Sequence, residues 1–163
     1  MRSSTWSTTV VERPDHLFII GAQRSGTTSL FLQLDAHPSV TMAKPVKPEP
    51  KFFLDNDALE PGWQDRYQQF FPHPEGKAVL GEKSTTYIER SDAGERIAIA
   101  FPEAKIVALV RDPIERAVSN YRFSVANGYE RRPIDAALDP QNLVPESPAD
   151  VSTSPYALSL IHI

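Results

Sequence analysis

The 163-residue chain contains no cysteine, which excludes disulfide staples and thiolate zinc sites. No apolar run approaches the roughly 20 residues that a membrane-spanning helix needs. The polar stretch Met1 to Asp15 lacks the apolar segment of a signal region, so a cytoplasmic protein is expected. Positive charge is also scarce: 17 Lys and Arg against 21 Asp and Glu leave a net charge of −4, which argues against a nucleic-acid or general polyanion binder. Any anionic ligand must therefore be met by local cations, of which Arg24, Lys44, Lys47, Lys51, Lys83 and Arg111 are the candidates. An apolar content of 40% supports one modest core and one domain, and no internal repeat is present.

What the chain does have is a run from Phe18 to Leu30, FIIGAQRSGTTSL, an apolar strand entering a turn bounded by Gly21 and Gly26 that opens a helix. Such a turn curls the backbone so that successive N–H groups point inward, and the helix N-terminus adds about half a positive charge. A nucleoside-triphosphatase loop places Lys directly after its second Gly. Here Thr27 occupies that position, and the cation is Arg24, inside the loop. No apolar strand ends in the Asp that a magnesium site would use. The turn thus reads as a cradle for a terminal monophosphate group without a metal. The alternatives are a magnesium-dependent nucleotide phosphotransferase on the same kind of sheet and a non-catalytic nucleotide-binding module.

A second strand, Lys105 to Val110, runs into Arg111-Asp112-Pro113-Ile114-Glu115. Asp112 fits a helix N-cap, Pro113 the first helical position and Glu115 the reciprocal partner of a capping box. Ile114, Ala117, Val118, Tyr121 and Val125 recur at helical spacing and are expected to form the packed stripe, leaving Arg111 and Ser119 outside it.

Between these segments lies KPVKPEPKFFLD, from Lys44 to Asp55. Pro45, Pro48 and Pro50 fix φ and remove donors, so a stiff loop is expected. It sets Lys44, Lys47 and Lys51 around Glu49, and Phe52 and Phe53 are read as core. A short strand from Val79 then enters the polar turn Glu82-Lys83-Ser84-Thr85-Thr86-Tyr87.

The Gly21 to Leu30 turn resembles the 5′-phosphosulfate loop of sulfotransferases that use 3′-phosphoadenosine 5′-phosphosulfate (PAPS), and Arg111 to Ser119 resembles their 3′-phosphate motif. Glu49-Pro50-Lys51-Phe52-Phe53 and Glu82-Lys83-Ser84 resemble stretches of the polysaccharide or heparan-sulfate type. The resemblance implies that Arg24, Ser25, Gly26, Thr27, Thr28 and Ser29 hold the 5′ end of the donor and that Arg111 and Ser119 hold its 3′-phosphate. It further implies Glu49 as the base that takes the acceptor proton, Arg24 as the cation meeting the leaving oxygen, and Lys83 facing the acceptor or sulfuryl group. The expected acceptor is a hydroxyl or amine, with carbohydrate favoured. The chain departs from the family where Arg24 replaces Lys, where Pro48 separates Lys47 from Glu49, and where Thr85 replaces Pro.

The expected element order is strand Leu17 to Gly21, helix Thr27 to Ala36, helix Gly62 to Phe70, strand Ala78 to Glu82, helix Asp92 to Ala100, strand Ile106 to Val110 and helix Pro113 to Ala126. This alternation predicts an α/β fold, a P-loop-type parallel sheet with helices on both faces. Residues 1–15 are expected to be a polar extension. Residues 16–163 are read as the N-terminal two thirds of a sulfotransferase domain, incomplete at its C-terminus. Within it 133–155, rich in Pro, Asp and Ser, is expected to be a mobile loop without a periodic segment. The resemblance covers Leu17 to Asn127 and the Tyr156 region, and Ser159 to Ile163 resembles translated sequencing-adapter sequence rather than native chain.

Overall fold

A computed structural model describes residues 14–139. The expectations for 1–13 and for 140–163, including Tyr156 and Ser159 to Ile163, lie outside the described residues.

The first strand, β1 (Asp15–Gly21), is apolar along most of its length because both of its faces are covered. Its alternating side chains divide the interior in two. Phe18 and Ile20 join an aromatic cluster on one face, and Leu17 and Ile19 meet Phe31 and Met42 on the other. Strand β2 is Val40–Met42, β3 is Val79–Lys83 and β4 is Lys105–Ala108. The four strands are parallel in the order β2-β3-β1-β4, with Ile19 opposite Lys83 on one side and opposite Val107 on the other. Gly81 allows β2 to pack closely on β3, since a Cβ there would lie 2.3 Å from Met42 Sδ.

Helix α1 (Thr27–Asp35) covers one face through Phe31. The other face carries α2 (Trp63–Gln68) and α3 (Ser91–Ala100), which contribute Tyr67, Ala93 and Ile97 to the aromatic cluster. Phe53, in a short 3-10 turn at Phe52–Leu54, is fully buried at the centre of this cluster. It lies edge-on to Phe18 at 5.8 Å and to Phe52 at 5.1 Å between ring centroids. Burying one such ring contributes about 1.5–3 kcal/mol. The chain then runs through α4 (Pro113–Ala126) to α5 (Ile134–Leu138).

The α/β class, the parallel sheet and the helix bounds Pro113 to Ala126 agree with expectation, and the other expected elements differ only at their ends. Strand β2 was not expected, because three residues carry no readable period. The five-residue α5 occupies the start of the segment expected to lack structure. Helix α4 is rotated relative to the expected stripe, of which Ala117 is buried and Val118 and Tyr121 are half-buried. Ile114 is 71% exposed and Val125 is exposed, while Arg116, Ala117, Asn120 and Ser124 are buried. After α4 the chain folds back along the helix, with the Tyr121 hydroxyl donating to the Arg132 carbonyl at 2.9 Å. The expected capping box is half formed. Asp112 Oδ1 accepts from the Glu115 N–H at 2.9 Å, but the Glu115 carboxylate turns to the Arg111 guanidinium at 3.0 Å, a stronger partner than a backbone amide.

His16 stacks on Phe101, with ring centroids 3.7 Å apart, and burial lowers its pKa to about 4. The folded protein thus binds fewer protons at this residue than the unfolded chain between the usual histidine value of about 6.5 and pH 4. The stabilisation by neutral His16 is present above that window and is lost as pH falls through it. Replacing His16 with Phe should remove this dependence. In urea unfolding, the stability of the wild type relative to His16→Phe is expected to decline steadily from pH 7 to pH 4, and a pH-independent difference would contradict the assignment.

Candidate active site

The C-terminal ends of β1, β3 and β4 open on one cleft of about 510 Å³, at the edge where open parallel sheets hold ligands. After β1 the backbone passes Arg24 with φ 63° and Gly26 with φ 89°, both left-handed, and Gly26 caps α1. Left-handed residues at this spacing leave the Thr27 and Thr28 N–H groups at the start of α1 without a partner within the helix, whereas the Ser29 N–H donates to the Gly26 carbonyl at 3.0 Å. Gly21 is required for a different reason: a Cβ at this position would approach Ile88 Cγ2 to 2.7 Å. Arg24, Gly26, Thr27, Thr28 and Ser29 line the cleft. Ser25 lies just behind the lining, and its Oγ, like Arg24 Nε, is buried without a hydrogen-bond partner. This donor-rich set matches an anion, because a buried donor left unpaired costs about 1–3 kcal/mol.

The Arg24 guanidinium also lies over the ring of Phe123, 4.4 Å from its centroid. Phe123 stands one helical turn after Ser119 on α4, so the two share a face. Both line the cleft together with Arg111. Pairing of β4 with β1 brings Arg111 beside the glycine turn, through hydrogen bonds from Ala22 N–H to the Leu109 carbonyl at 2.8 Å and from Leu109 N–H to the Gly21 carbonyl at 2.7 Å. The two cationic ends of the cleft therefore lie side by side on one rim. Arg111 is exposed and donates to Glu115 through Nε and Nη2.

Opposite the glycine turn stands the proline-rich loop, with Lys47, Pro48, Glu49 and Lys51 in the wall. Glu49 is held at every oxygen. Lys83 Nζ donates to Oε1, the Thr85 N–H to Oε2 at 2.8 Å, and Thr85 Oγ1 to Oε2 at 2.9 Å. The Lys83 and Glu49 side chains are only 3% and 14% exposed. Such a pair fixes geometry more than it adds stability, since desolvation offsets most of the attraction. Thus Lys83, expected to face the acceptor or the sulfuryl group, engages the carboxylate.

The predicted site residues other than Ser25 line this cleft; of the candidate cations Lys44 does not, since its ammonium pairs with Asp35 at 2.5 Å. Thr85, Thr86, Gln23 and Phe123 line it too and were not singled out. Phe123 was detectable by its spacing from Ser119. Thr85 stands where a Pro was expected, and its N–H and hydroxyl both bind Glu49.

Comparison with known proteins agrees with this geometry. A family model described as "Sulfotransferase family" matches residues 45–143. The chain is 36% identical over 116 residues to the human bifunctional heparan sulfate N-deacetylase/N-sulfotransferase 3, covering 68% of this chain and 13% of that protein. It is 31% identical over 110 residues to the membrane-associated sulfotransferase kil1 of Dictyostelium discoideum, covering 68% of this chain and 23% of that protein. The chain thus spans less than a quarter of either relative. The crystal structure of a sulfotransferase from Alicyclobacillus acidocaldarius superposes with a TM-score of 0.65 at 31% identity, over 78% of this chain and 56% of that one. The parallel sheet, the glycine turn and these matches together establish that the chain belongs to the sulfotransferase family.

Proposed function

We propose that the cleft binds PAPS and transfers its sulfuryl group to a hydroxyl or amine acceptor, a carbohydrate. One observation carries the reading: a turn with unpaired buried donors, a second cation in the turn after the adjacent strand and a carboxylate line a single cleft. The heparan sulfate N-sulfotransferase named above supports the sulfuryl chemistry and the choice of carbohydrate.

Bound PAPS supplies a sulfur whose bond to the bridging oxygen of the 5′-phosphate breaks as the acceptor atom bonds to sulfur. Arg24, Ser25 and the first-turn N–H groups of α1 meet the charge left on the bridging oxygen, as preorganised donors that need no rearrangement. Glu49 receives the acceptor proton, so protons and charge balance. Arg111 and Ser119 hold the 3′-phosphate and keep the sulfur in line. Arg111 exchanges its exposed Glu115 partner for the phosphate, an inexpensive exchange because exposed pairs of this kind are worth about 0.3–0.5 kcal/mol. Lys83 and Thr85 aim the Glu49 carboxylate.

Replacing Glu49 with Gln should lower transfer from labelled PAPS by about 10²- to 10⁴-fold, the usual scale of a lost general base. Titration calorimetry with adenosine 3′,5′-bisphosphate should show unchanged donor-site affinity; full activity of this variant would remove Glu49 from the reaction.

The two ends of the cation–π contact should separate in the same calorimetric assay. Arg24→Ala is expected to weaken bisphosphate binding by about 10- to 100-fold, the loss of a charge-assisted hydrogen bond. Phe123→Ala should weaken it by only about two- to fivefold, since it removes support for the guanidinium and not the charge. Equal effects would mean that Phe123 contacts the nucleotide directly. Turnover of ATP with magnesium in place of sulfuryl transfer would overturn the donor assignment.

A further inference from the structure

We propose that Glu82 is a positioning residue, a fully buried carboxyl group that fixes the base-bearing loop to the sheet through two hydroxyl relays. The inference rests on the reading of the cleft as a sulfuryl-transfer site. It concerns a residue that touches neither donor nor acceptor.

Glu82 and Lys83 are neighbours at the end of β3, so they project to opposite faces of the sheet. Lys83 reaches the cleft and binds Glu49. Glu82 enters the aromatic core and is completely buried. A carboxyl group in such a place is costly unless its oxygens are satisfied. Glu82 Oε1 accepts two short hydrogen bonds, from Ser84 Oγ at 2.6 Å and from the Tyr87 hydroxyl at 2.6 Å.

Each hydroxyl spends its only proton on Glu82, which leaves its lone pairs free for a donor. Both lone-pair sites are filled by the loop that carries Glu49. The Lys51 N–H donates to Ser84 Oγ at 2.9 Å, and the Phe53 N–H donates to the Tyr87 hydroxyl at 3.0 Å. Two relays therefore run from loop amide to hydroxyl to one carboxyl oxygen. They grip the loop two and four residues after Glu49, while Lys83 and Thr85 grip Glu49 itself. Without Glu82 the hydroxyl protons turn elsewhere, and the loop amides lose oriented acceptors.

Glu82 Oε2 and the Tyr67 hydroxyl are both buried, make no hydrogen bond of good geometry, and interact with each other across the core. Burial raises the Glu82 pKa against the opposing pull of its hydroxyl donors. An acceptor oxygen, rather than a negative charge, is what the relays require, and Gln supplies one in nearly the same shape.

The test compares Glu82→Gln with Glu82→Leu in the full chain. Glu82→Leu should lower kcat for transfer from PAPS by about 10- to 100-fold, the scale of a misplaced reacting group, with the affinity for adenosine 3′,5′-bisphosphate unchanged. Amide hydrogen exchange at Lys51 and Phe53 should accelerate while Ile19 and Leu80 in the sheet keep their protection. Glu82→Gln should restore both kcat and protection. If Glu82→Leu does not fold, the double variant Ser84→Ala with Tyr87→Phe breaks the same relays and should give the same pattern.

A wild-type kcat in Glu82→Leu would overturn the proposal. So would a fall in kcat matched by lost bisphosphate binding, or a Glu82→Gln variant as impaired as Glu82→Leu. Absence of both transfer and bisphosphate binding by the wild type in a chain extended to the complete domain would instead refute the sulfuryl reading, and the exchange rates at Lys51 and Phe53 would still decide whether Glu82 holds the loop.

Discussion

Parallel pairing on both sides of β1 is the constraint from which the rest of this structure follows. Because β3, β1 and β4 run in one direction, their C-terminal ends share one edge of the sheet, and each is followed by a turn that must exit there. The glycine turn, the Lys83 to Thr86 turn and the Arg111 turn are distant in sequence and adjacent in space for this reason alone. A sheet buried on both faces can hold such an edge rigid, and α1 with the aromatic cluster supplies the two coverings.

The site on that edge is asymmetric. Its donor side is a backbone cradle with a cation resting on an aromatic ring, whereas its opposite wall is a proline-stiffened loop tied down through side chains. Backbone cradles are specified locally, by the φ angles that Arg24 and Gly26 adopt. The proline loop cannot donate enough of its own amides to pair with a strand, so its position depends on contacts with β3 and the turn that follows it. Polar groups on both faces of β3, Lys83 towards the cleft and Glu82 towards the core, are the means by which a loop without regular structure acquires a fixed place.

Much of this was legible in the sequence where local chemistry and tertiary role coincide. The apolar runs of β1 and β3, the Gly-bounded turn and the Asp112-Pro113 helix start each carry a signal that burial merely confirms. The apolar stripe of α4 was legible only in part, at Ala117, because periodicity reports which residues resemble each other and not which of them the fold covers. Arg116, Asn120 and Ser124 are buried, while Ile114 is exposed. Helix α5 and strand β2 were too short for any period to show. Glu82 was passed over because its importance lies two hydrogen bonds away from the cleft, a distance that spacing in a sequence does not reveal.

The substitution of Arg for Lys in the glycine turn has a consequence for the shape of anion that the turn suits. A lysine ammonium is a point charge on a flexible stem, whereas a guanidinium seated on Phe123 presents a planar fork of N–H groups held in one orientation. An anion that offers two oxygens in one plane therefore matches this turn better than a spherical one.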